Sequence, residues 1–221
     1  MEYIKRLQEF TGTKGNKGLE EQFEDLAHYF LTQGYLLINK TRKVYICDVE
    51  FYYHEEEGEI KDWIMYHRDM KDSKGNLKPV DYFKIGQLHA HVSGIDITFE
   101  KPEEKYRAAM LIRGLKIDDS SPEGYETRST KIYDALLHYG NIETGIEIKW
   151  HEEPIKGIYT LEKPMVRHNV AEYELRENKY GILRPEKIIF NAEKHTNKNL
   201  DKQCERSKYK QCMRKWRFKL K

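Results

Sequence analysis

Apolar positions recur with a helical period at the start of the chain. Tyr3, Ile4, Leu7 and Phe10 share one side of a helix over Glu2 to Phe10. After a Gly/Lys turn over 11–17, Leu19, Phe23, Leu26, Ala27, Phe30 and Leu31 form a longer stripe that Gly34 ends. The period then shortens. Tyr35 to Asn39 and Val44 to Tyr53 read as strands. Side chains alternate faces along a strand. Strict alternation puts Tyr45, Cys47, Val49, Phe51 and Tyr53 on one face of the second strand. Val44, Ile46, Asp48, Glu50 and Tyr52 fall on the other. A strand apolar at one end and acidic with an aromatic at the other fits a core strand whose end lines a site. The plainer alternative is a half-buried strand with one wet face.

Glu55 to Asp81 has no period, and a loop of that length in a compact domain is functional or disordered. Its aromatics and His67 argue against disorder. Leu88 to Phe99 reads as a strand broken at Ser93-Gly94, where a glycine marks a bulge or a close backbone approach. Pro102 to Lys105 is a turn, and Tyr106 to Leu115 a strand of buried type. Ser121 to Gly124 is a loop. Thr127 to Tyr139 reads as a helix, with Thr127 or Ser129 as N-cap and Gly140 as stop. Ile146 to Trp150, Ile158 to Leu161 and Ile182 to Phe190 read as short strands. Asn197 to Arg217 reads as a helix carrying a basic tail. Strands and helices do not alternate regularly. The expectation is an α+β single domain over 1–221, with a curved, mostly antiparallel sheet and flanking helices. Residues 1–34 are its N-terminal helices and 198–221 its basic C-terminal segment.

Composition narrows the setting. The 221 residues suffice for one well-buried domain, and a net charge of +2 excludes a polycation. Sixteen tyrosines suit cleft linings, since each buries a ring and keeps a polar tip. Three cysteines, Cys47, Cys204 and Cys212, have no zinc spacing and cannot all pair, which favours a reducing, cytoplasmic setting. No apolar run has the length of a membrane span or a signal-peptide core. A monomer with no membrane partner is expected.

Four features carry candidate chemistry: Glu50 with Tyr52, His67 in the aperiodic loop, the Ser93-Gly94 break, and Arg113. Alternation gives Arg113 the same face as Leu111 and Leu115, an unusual place for a guanidinium unless it is paired or faces a cleft. His89 and His91 share a strand face and, with Asp96 or Glu100, are candidates for half of a metal site in a metal-dependent hydrolase. The alternative is two partly buried histidines without a metal. Residues 198–221 hold ten Lys or Arg against Asp201 and Glu205, interleaved with Tyr209, Trp216 and Phe218. Such a run neutralises phosphates and stacks on bases, or is simply a solvated face.

In order, these features resemble the alkyladenine (3-methyladenine) DNA glycosylase family. Asp48-Val49-Glu50-Phe51-Tyr52 is similar to the family's Glu-Thr-Glu-Ala-Tyr strand. Tyr66-His67-Arg68 sits where the family has a His after a short loop. The run from Phe83 through Gly86, Gly94 and Phe99 resembles its Gly-Thr-Leu-Tyr…Tyr-Gly strands. Met110 to Leu115 resembles its Leu-Leu-Arg-Ala-Leu strand, and Thr130 to Leu136 the helix after it. Trp216-Arg217-Phe218 is similar to its closing strand, an alternative to a basic tail. The resemblance implies a base-excision repair enzyme that hydrolyses the N-glycosidic bond of a flipped alkylated purine in double-stranded DNA, without a cofactor. It implies Glu50 as the base that activates water and Arg113 as the residue that helps hold that water. Tyr52 and His67 would stack on the base, and Ser93 and Gly94 lie at the duplex wedge, where Ser93 replaces the family's aromatic. A non-catalytic nucleic-acid-binding protein on the same fold stays open beside it.

Overall fold

The computed structural model describes residues 2–62, 65, 67, 70–71, 76–91, 94–119, 123–137, 140, 143, 145–157, 159–167 and 214–221. Among the described residues, three α-helices, α1 (Glu2–Glu9), α2 (Leu19–Thr32) and α3 (Ser129–Leu137), accompany nine strands. The strands are β1 (Gly34–Ile38), β2 (Arg42–Glu55), β3 (Met70–Lys71), β4 (Leu77–Lys78) and β5 (Leu88–His91), followed by β6 (Gly94–Thr98), β7 (Tyr106–Ile117), β8 (Ile148–Glu152) and β9 (Arg217–Lys219). β3 and β4 form a small hairpin. The other seven strands build one antiparallel sheet in the order β5-β6-β7-β2-β1-β8, with β9 alongside β2 past the end of β1. The sheet is curled into a half-barrel, and the α+β expectation holds. Among the described residues no helix is long and apolar enough to cross a membrane.

One face of the sheet is an aromatic core. Phe23 of α2 stacks on Phe10 at 5.5 Å and on Phe51 at 4.6 Å, while Trp216 meets its edge at 5.2 Å. Each fully buried side chain of this size contributes about 1.5–3 kcal/mol through apolar burial. Of the stripe read from the α2 sequence, Phe23, Leu26, Ala27, Phe30 and Leu31 are buried and Leu19 is partly buried.

Strict alternation fails once on each central strand. Val44 and Ile46 face the core with Val49, Phe51 and Tyr53. The pairing runs Ile46 to Leu115, Asp48 to Gly114, then Val49 to Ile112. Cys47 is thus an extra residue on β2, and Arg113 an extra residue on β7 one pair later. Each bulge turns the rest of its strand over. The face shared by Tyr45, Cys47 and Val49, and that shared by Leu111 and Leu115, are corrected accordingly. Leu115 lies in the core, whereas Leu111 packs on the opposite face with Tyr52, Met65 and Ala109.

Other expectations shift as well. The single broken strand read over Leu88 to Phe99 is two strands: β5 and β6 pair antiparallel, His89 to Asp96 and His91 to Gly94. Gly94, at φ 147°, also permits the close approach foreseen there, since a Cβ would lie 2.8 Å from Leu111 Cδ1. α3 begins at Ser129, with the Glu126 carboxylate accepting the backbone N–H groups of Thr127 and Arg128. The proposed strand near Leu161 is reduced to a single bridge to Leu220. Residues 214–221 are not the end of a helix; Arg217–Lys219 closes the sheet against β2. Ser93, the strand at 182–190 and most of the 197–217 helix lie outside the described residues.

Gly114 permits a close approach. A Cβ there would stand 2.4 Å from Tyr125 ring carbons and 2.9 Å from the Asp48 Cβ. Gly114→Ala is expected to destabilise the fold by about 1–3 kcal/mol, the usual range for overpacking. Urea unfolding measures this, and an unchanged midpoint would show that Tyr125 moves aside at no cost.

Candidate functional site

The second face of the sheet is polar and buried. Glu50 of β2 lies opposite Leu111 of β7, which lies opposite Asp96 of β6, which lies opposite His89 of β5; Arg217 of β9 flanks Glu50 on the other side. These residues form one row across five strands. Isolated buried charges are expensive, so each requires a partner.

Glu50 is fully buried. The Tyr52 hydroxyl donates to its Oε2 at 3.0 Å. Burial, then the neighbouring Glu50 charge, pushes the Tyr52 pKa well up, so the phenol stays protonated and donates. Two guanidiniums flank the other oxygen: Arg113 Nε and Arg217 Nε each lie 3.9 Å from Oε1. The bulge at Arg113 helps bring that side chain to this face. Arg217 is fixed from behind by Asp48, with Nε to Oδ1 at 3.0 Å and Nη2 to Oδ2 at 2.5 Å. Tyr125 adds a hydroxyl to Asp48 Oδ2 at 3.2 Å. Burial alone would lower the Arg217 pKa, but the Asp48 hydrogen bonds reverse this and raise it.

Tyr52 has a second neighbour. Arg167 lies over its ring with Cζ 4.7 Å from the centroid, and over Trp216 at 5.3 Å. Asp62 takes both ends of that guanidinium, Nη2 to Oδ1 at 3.2 Å and Nη1 to Oδ2.

His67 forms a separate cluster. Its Nδ1 meets Glu100 Oε1, and its Nε2 lies 3.2 Å from Asp96 Oδ2. His91 Nε2 stands 3.1 Å from the same Asp96 oxygen. Burial pulls the His67 pKa down, yet the hydrogen bonds of Asp96 and Glu100 more than reverse this and leave it near about 9. His67 is therefore an imidazolium held between two carboxylates. The pKa of Asp96 is lowered, because the bonds from His67 and His91 outweigh its burial. His89 is pulled down by burial and then by the positive His67. The ring neighbours of His67 are Phe83 at 5.2 Å and His89 at 5.5 Å. Among the described residues no group of three or more His, Cys, Asp or Glu side chains is disposed to hold a metal ion. The His89/His91/Asp96 metal reading has no support from this geometry.

The structure therefore brings Glu50, Tyr52 and Arg113 together. It places His67 on the same sheet face but commits it to Asp96, two strands from Glu50, or about 10 Å by strand spacing. Gly94 lies at the start of β6 in the adjoining hairpin. Sequence reasoning missed Asp62, Arg167 and Tyr125 as site neighbours. Arg217 had one signal, its place between Trp216 and Phe218 in an alternating closing strand.

His67 titrates near 6.5 when unfolded and near about 9 when folded. Its stabilising contribution is full below pH 6.5 and lost as the pH rises through 9. The thermal midpoint should fall across that window, and His67→Gln should remove that part of the slope. A wild-type midpoint flat from pH 6.5 to 9 would rule out the imidazolium.

Set against protein-family models, curated proteins and solved structures, the chain matches none.

Proposed function

We propose that the chain is a DNA glycosylase-like hydrolase that cleaves the N-glycosidic bond of an alkylated purine flipped out of double-stranded DNA. The observation that carries this reading is the asymmetry of Glu50. One oxygen accepts the Tyr52 hydroxyl, and the other faces Arg113 and Arg217 at 3.9 Å each. That separation is too long for a direct hydrogen bond and suits a contact bridged by water. A water there would give its proton to Glu50 Oε1 as it attacks C1′. The carboxylate charge would also stabilise the positive character growing on the sugar. Arg113 and Arg217 would orient the water. An alkylated purine is already a good leaving group, so no metal or cofactor is required. The aromatic ring of Tyr52 offers the stacking surface for the extruded base. The Lys and Arg of 198–221 offer phosphate contacts. The buried, unpaired thiol of Cys47 fits a reducing cytoplasm.

A second reading is a non-catalytic nucleic-acid-binding protein on the same fold. What favours it is the burial of Glu50 and Tyr52 together with the guanidinium of Arg167 lying over the Tyr52 ring. It expects salt-dependent binding without base release.

Incubation with alkylated duplex DNA, followed by chromatography of released bases, separates the two. Glu50→Gln should lower single-turnover release about 10²–10⁴-fold, the usual contribution of a general base, with DNA binding retained. Release by Glu50→Gln at the wild-type rate removes Glu50 from the chemistry. Binding with no release by wild type selects the second reading.

A further inference from the structure

Arg167 occupies the position that the proposed base would need. Its guanidinium is flat, lies over Tyr52, and is wholly buried. Two of its nitrogens point side by side at the two oxygens of Asp62. Asp62 does not depend on Arg167 for its position. Its Oδ2 also accepts the Tyr53 backbone N–H at 3.3 Å, and its own N–H donates to His54 Nδ1 at 3.0 Å. The carboxylate is thus pinned to β2, beside a tyrosine ring, whatever cation or donor faces it.

A carboxylate so placed recognises a planar group with two adjacent N–H donors on one edge. Among the nucleobases, guanine has that edge, with N1–H beside the N2 amino group. Adenine presents a donor beside an acceptor, and its ring nitrogen would face the carboxylate lone pairs. Alkylation at N7 leaves the guanine edge intact. We propose that Tyr52 and Asp62 form a guanine-binding subsite, with Arg167 as the chain's own occupant, displaced when a guanine base enters. The inference rests on Tyr52 being the base-stacking surface of the proposed glycosylase-like site. It narrows the substrate from alkylated purines to guanine lesions and makes Arg167 a competitor for its own pocket.

Equilibrium binding of guanosine, inosine and adenosine to the full chain tests this without any cleavage step. Inosine keeps N1–H but lacks the amino group. Arg167→Ala exposes Asp62 and should bind guanosine more tightly than wild type does. It should also prefer guanosine to inosine and to adenosine by about tenfold or more, the effect of hydrogen bonds to a charged acceptor. The double variant Asp62→Asn, Arg167→Ala carries no unpaired buried charge, and it should lose the preference for guanosine over inosine because one donor then meets the amide NH2. If Arg167→Ala does not fold alone, its thermal midpoint in guanosine against adenosine decides, and rescue by guanosine only supports the subsite. If neither variant folds, selective protection of wild type by guanosine gives the same answer. Failure of any folded form to distinguish guanosine from adenosine overturns the proposal. Release of alkylated adenine but not guanine from DNA overturns it while leaving the glycosylase reading standing. Guanosine binding with no base release supports the subsite and removes only the catalytic reading.

Discussion

Charge burial on the second face of the sheet is the constraint on which the site depends. Asp48, Glu50, Asp62, Asp96 and Glu100 are buried there, together with Arg107, Arg113, Arg167 and His67. A buried carboxylate without a partner costs several kcal/mol, whereas a well-paired one roughly breaks even against an apolar pair. This face therefore adds little net stability, and most of it comes from the aromatic core around Phe23 on the other side. The polar face instead gives position. Asp48 grips Arg217, Asp62 grips Arg167, and His67 bridges Asp96 and Glu100, so each long side chain is fixed at both ends.

The paired bulges make this arrangement possible. Were Cys47 paired regularly instead of bulged, the residues of β2 after it would turn over, sending Glu50 and Tyr52 into the core and Phe51 to the polar side. One extra residue on β2 alone would leave β7 mispaired. The extra residue at Arg113 restores the register and places a guanidinium where the strand bends. The short β9 joins the two features. Leu220, just past it, donates its N–H to the carbonyl of the bulged Cys47, and its Arg217 supplies the second cation beside Glu50.

How much of this the sequence reveals depends on the range of the interaction. The α2 stripe and the strands around Glu50 and Arg113 are local patterns, and they stand where periodicity puts them. The bulges are invisible to periodicity: Cys47 stands between Ile46 and Asp48 and Arg113 between Ile112 and Gly114, and nothing in either run marks the extra residue. The β5–β6 hairpin was hidden for a related reason: Leu88 to Phe99 is apolar on both sides of its turn. Arg167 and Asp62 are 105 residues apart, and Asp62 sits in a stretch without a period, so no local signal joins them. Arg217 lies within a run of positive charge that reads equally well as a solvated tail, and only its pairing with Asp48 gives it a place.

The two polar clusters are not equivalent: the acids around His67 lie closer to it than Arg113 Nε and Arg217 Nε lie to Glu50. His67 is held as an imidazolium, with its pKa near about 9, so at neutral pH it has no lone pair to accept a proton. Asp96 is engaged by two histidines, and Glu100 by His67 and the backbone N–H of Phe83 at 2.8 Å. Asp48 and Asp62 each hold a guanidinium in two-point contact. Glu50 differs from all of these. The Tyr52 phenol donates to one of its oxygens, and Arg113 Nε and Arg217 Nε lie 3.9 Å from the other. A carboxylate tightly paired to a cation is a weak base. Under the glycosylase-like proposal, Glu50 is the acid of this face that takes the proton from water.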